Sequence, residues 1–123
     1  MTQAQGRPLV LVVGHDSPLR RGVGHELIER GYPVVVCSGP PGCALSHDDR
    51  CVLLDEVDCA VILPSHADRA IDMYLQQCAR RARTAVFALQ PDFELPPGSV
   101  VVGSPSAARI ARVVEGLVRA GAA

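Results

Sequence analysis

Two short aliphatic runs, Leu9-Val10-Leu11-Val12-Val13 and Pro33-Val34-Val35-Val36-Cys37, bracket a stretch of helical periodicity, and this arrangement limits the possible folds most. A continuous apolar run of this length fits a strand buried on both faces, as parallel sheets require. The first run ends at Gly14-His15-Asp16, and Ser17-Pro18 then opens a helix, with the hydroxyl as N-cap and proline in the first turn. Leu19, Val23, Leu27 and Ile28 recur at helical spacing, and Gly31 stops the helix. Strand, helix and strand within about 30 residues make a βαβ unit, whose strands are parallel and whose crossover is right-handed.

The same alternation continues. Residues 38–42 carry two prolines and two glycines and read as loop, and residues 51–56 read as a short helix. A third strand is expected over 58–64. Ser65 with Asp68 caps the following helix, whose core face holds Ile71, Tyr74, Leu75 and Cys78. Arg80, Arg81 and Arg83 lie near its C-terminus, where the helix dipole favours positive charge. Residues 84–89 are read as strand four and 99–102 as strand five. Between them, 90–98 holds three prolines and is too interrupted for a full helix. Ser104-Pro105 opens a final helix with Ile110, Val113, Val114, Leu117 and Val118 at core spacing. The expectation is one α/β domain over residues 1–123, a three-layer sandwich around a five-stranded parallel sheet.

Composition removes several classes of chemistry. All twelve basic residues are Arg, so there is no lysine for a P-loop, a Schiff base or a general base. Net charge is −1, and with no Trp, two Phe and two Tyr there is neither a basic footprint nor a stacking platform for nucleic acid. No apolar run approaches the ~20 residues that span a bilayer. The opening residues show no signal-peptide pattern, and a cytoplasmic, non-membrane protein is expected.

The strand-to-loop passages resemble a response-regulator receiver domain. Leu9-Val10-Leu11-Val12-Val13-Gly14-His15-Asp16-Ser17-Pro18-Leu19-Arg20-Arg21 is similar to the receiver opening, residues 58–64 to its third strand, and Val101-Val102-Gly103-Ser104-Pro105 to its fifth strand and proline. The resemblance spans nearly the whole chain and implies the flavodoxin-like strand order 2-1-3-4-5. Carried over position by position, the two acids that hold Mg²⁺ fall at Gly14 and His15, with Asp16 the only acid nearby. The phosphoacceptor aspartate falls at Leu63, the switch hydroxyl near Leu89 and the lysine at Ser104. Phosphoryl transfer to a carboxylate needs a nucleophile, a metal clamp and a positive charge on the phosphoryl oxygens. Leu63 is no nucleophile and no lysine exists. The resemblance therefore leaves a pseudo-receiver or a generic flavodoxin-like domain: a non-phosphorylatable regulatory module that binds a protein partner or itself, a homodimer being one such form, with no catalytic residues.

In that strand order ligands settle at the carboxyl ends of strands one and three, where His15, Asp16, Ser65 and His66 are the available polar side chains. An enzyme using His15 or His66 as base lacks a paired nucleophile and is the least favoured reading. Gly14, Gly22 and Gly24 do not match the dinucleotide spacing G-x-G-x-x-G, and two of them fall inside the helix. The alternative chemistry lies one strand over. Cys37, Cys43, His47 and Cys51 form C-x5-C-x3-H-x3-C, the ligand types that zinc or an iron–sulfur cluster prefers, or a thiol redox sensor uses. Cys59 and Cys78 suit the other role of cysteine, a small buried hydrophobe.

Overall fold

Each residue of β1 (Val10–Val13) is buried, and the sheet is assembled outward from it. In the computed structural model, which describes residues 8–15, 17–37, 56–63, 79–80, 82–88, 95, 97–103 and 106–122, β1 pairs in parallel with two neighbours. These are β2 (Val34–Cys37) on one side and β3 (Cys59–Ile62) on the other. Beyond β3 lie β4 (Ala85–Phe87) and β5 (Val100–Val101), also parallel. The order β2-β1-β3-β4-β5 is the expected 2-1-3-4-5, compatible with a flavodoxin-like fold.

Strand residues alternate between the two faces of the sheet, and so does the core. On one face Val10, Val12, Cys59, Val61 and Val86 meet Val23 and Leu27 of α1 (Pro18–Glu29) and Ile110, Val114 and Val118 of α2 (Ala107–Ala122). On the other, Leu11, Val13, Ala60, Ile62 and Phe87 pack with Val57 and Ala79. Full burial of each large aliphatic side chain contributes roughly 1.5–3 kcal/mol. Among the described residues no helix is long and apolar enough to cross a membrane.

The helix start follows its sequence signals. Ser17 is extended (φ −161°, ψ 161°), its Oγ accepts from the Arg20 N–H at 3.1 Å, and Pro18 is the first helical residue. At the other end Gly31 takes φ +92°, and the Tyr32 N–H donates to the Leu27 carbonyl at 3.0 Å. The two helices approach closely: a methyl group added at Gly22 would sit 3.1 Å from the Ala107 Cβ. A polar clasp holds their far ends. Arg30 Nη1 donates to Glu115 Oε1 at 3.1 Å, Arg30 also faces Glu26 at 3.7 Å, and Arg119 reaches Glu115 at 3.3 Å.

Three expectations change. Ile28 is not on the core face but 61% exposed, because of the adjacent pair Leu27-Ile28 only Leu27 lies within the apolar stripe. Nor is β2 buried on both faces: it ends the sheet, its residues are half-buried, and Val36 is 49% exposed. Finally, α2 begins at Ala107 rather than at Ser104-Pro105. Ser106 serves its first turn, its carbonyl accepting from the Ile110 N–H at 2.9 Å and its Oγ lying 3.4 Å from the Arg109 N–H.

Candidate functional site

Parallel sheets of this order bind ligands beyond the carboxyl ends of strands one and three. Here those ends are Gly14 and Leu63, made neighbours by the register Val13↔Ile62. The ladder runs one residue past the strands: the Leu63 N–H donates to the Val13 carbonyl at 3.0 Å, and the Gly14 N–H donates to the Cys37 carbonyl at 2.9 Å. Gly14 is thereby tied to the end of β2 and sits beside the end of β3.

The space around it is closed. Gly14 has φ +156°, which side-chain-bearing residues rarely adopt, and a Cβ placed there would meet Leu63 Cβ at 2.9 Å and Leu63 Cδ1 at 3.3 Å. Leu63 itself packs onto the core beneath α1 and α2. No side chain, acidic or otherwise, fits at position 14 with the backbone as it stands, and a hydrocarbon fills position 63. Arg20, from the first turn of α1, reaches back over this end, its Nη1 donating to the Gly14 carbonyl at 2.9 Å. Ser17 Oγ is engaged in capping α1, and His15 stands exposed at the mouth.

Of the crevice set His15, Asp16, Ser65 and His66, only His15 lies within the described residues; the other three fall outside them, as do Leu89 and Ser104. Of the cysteine set, Cys37 ends β2 half-buried and packs against the core on the sheet face away from α1, whereas Cys43, His47 and Cys51 lie outside the described residues. Among the described residues no three His, Cys, Asp or Glu side chains gather as a metal-holding group. Cys59 is fully buried in β3. Burial, with a smaller push from the Asp58 carboxylate, raises its thiol from the ordinary 9.0 to about 12. It stays a thiol, and a thiol is a poor nucleophile and ligand.

Two contributors escaped the sequence reading. Arg20 was not singled out, although an arginine one helical turn after a strand end is placed to reach it. The Gly14–Leu63 contact joins residues far apart in the chain, one of which has no side chain to signal a role. Compared with models of protein families, with curated proteins and with solved structures, the chain matches none.

Proposed function

We propose that this chain is a receiver-like regulatory module that works by binding a protein partner and carries out no phosphoryl transfer. The carrying observation is the contact of Gly14 with Leu63 at the strand ends, 2.9 Å from where a Cβ would stand. A carboxylate nucleophile and an acidic metal clamp would both have to occupy this place, and neither residue supplies one. The arginine that closes over the Gly14 carbonyl adds a positive charge but no acceptor for a phosphoryl group.

The test is direct. The purified chain, incubated with Mg²⁺ and acetyl phosphate and weighed intact by mass spectrometry, is expected to gain no phosphoryl mass. A phosphorylated adduct that hydroxylamine cleaves, as it does an acyl phosphate, would overturn the reading. Anaerobic purification with elemental analysis addresses the metal and redox alternative in the same preparation, since bound zinc or iron in proportion to protein would transfer the function to the cysteine segment.

A further inference from the structure

We infer that the chain pairs with a second copy of itself through the outer edge of β2, in a two-fold arrangement centred on Val35. This deepens the binding reading above by naming one partner, and it begins with the main chain. The Val10 N–H donates to the Pro33 carbonyl and the Gly14 N–H to the Cys37 carbonyl, so the odd-numbered residues of this segment turn their polar groups toward β1. Val34 and Val36, alternating with them, turn their N–H and C=O groups outward, because successive residues of a strand point opposite ways. Among the described residues these two donors and two acceptors lie on a strand that ends the sheet.

Proteins ordinarily protect such an edge with charge, proline or a bulge. Along Val34-Val35-Val36-Cys37 there is none of these. Instead, the large apolar side chains exposed among the described residues, Ile28 and Val36, both belong to the α1–β2 unit that forms this edge.

The edge is complementary to itself. In an antiparallel pair centred on Val35, Val34 of each copy exchanges two hydrogen bonds with Val36 of the other, satisfying all four outward groups. Because α1 leads through a tight turn into β2 and runs antiparallel to it, Ile28 stands at the Val34 end of the strand. The two-fold then carries Ile28 of one copy to the Val36 end of the other, on the same sheet face, where the two exposed side chains cover each other. Charge agrees: the Arg21 end of one α1 lies beside the Glu29 end of the other, and both residues are exposed. A contact in which one patch serves both partners closes after two copies, so it does not grow into a fibre.

Light scattering during size exclusion, in reductant and without any phosphodonor, is expected to give twice the chain mass of 13.0 kDa. Val36→Lys and, separately, Ile28→Asp should each weaken the dimer at least about tenfold while leaving the circular dichroism spectrum unchanged. Ile28 lies on an exposed helix surface, so its variant keeps the test open if the strand variant fails to fold. Val35→Cys, oxidised, should yield a crosslink between two copies of position 35, which lies on the axis as a close pair. A monomeric wild type, a dimer indifferent to both edge substitutions, or a dimer broken instead by Arg112→Glu on α2 would each overturn the inference. None of these outcomes bears on phosphoryl transfer, so this inference and the preceding proposal fail separately.

Discussion

At the scale of single residues, the structure assigns very different tolerances to side chains that look alike in the sequence. Gly14→Ala must accept both an unfavourable φ and a 2.9 Å approach to Leu63 Cβ, and is expected to destabilise the fold by about 2 kcal/mol or more, read by urea denaturation. Gly24→Ala, with nothing within 4 Å of the added methyl, should stabilise α1 by about 0.5–1 kcal/mol in the same assay. Cys59 carries a pH signature. Its thiol holds its proton to about pH 12 in the folded chain, against 9.0 when unfolded, so the folded state binds the extra proton between those values. Its stabilising contribution is complete below pH 9 and is lost as pH rises through that window, at up to about 1.4 kcal/mol per pH unit. Denaturation curves of wild type and Cys59→Ala across alkaline pH should show a steeper decline for the wild type. Asp58 is more exposed but anchors an edge of the core, its Oδ2 accepting from the Leu9 N–H at 3.0 Å. Its weak, exposed pairing with Arg83 at 3.6 Å adds little.

At the scale of elements, α1 and α2 act as one layer because small residues let them approach at one end and a charged clasp joins them at the other. Glu115 holds both Arg30 and Arg119, and the Arg30 and Glu115 side chains are only 28% and 21% exposed. Glu115→Ala should therefore cost about 1–2 kcal/mol, more than an exposed ion pair would. A double-mutant cycle with Arg30→Ala isolates the pair; a coupling below about 0.3 kcal/mol would show the clasp to be ornamental. Ser17→Ala removes the cap of α1 and should cost about 1 kcal/mol by the same measurement. The two described helices were legible in the sequence because spacing is local, as was the Ser17 cap of α1, while the start of α2 lay further along than Ser104-Pro105. The edge position of β2 was not: three valines and a cysteine read alike in a central or an outer strand, and pairing with distant segments decides which it becomes. Ile28 was misplaced for a related reason: which of two adjacent aliphatics reaches the core depends on how the helix is turned against the sheet, and on α2 both Val113 and Val114 pack against it. The strand-end contact was hidden because glycine carries no pattern and Leu63 reads as one more core residue.

At the scale of the whole molecule, the sheet order came through because five short apolar runs alternating with helical or loop segments leave few arrangements open. A dimer built on the β2 edge would join two such sheets into one, so thermal stability should rise with protein concentration, and Val36→Lys should remove that dependence. Scanning calorimetry over a concentration series provides the check. The deepest constraint sits where β1 and β3 end. With the backbone as it stands, a Cβ at position 14 would stand 2.9 Å from the Leu63 Cβ, so a side chain there requires the two strand ends to move apart. A change at either site is therefore felt at the other. A carboxylate at 14 therefore has to come with a displacement of the β1 and β3 ends, and a single substitution there cannot equip this strand end for acid chemistry while the backbone stays in place.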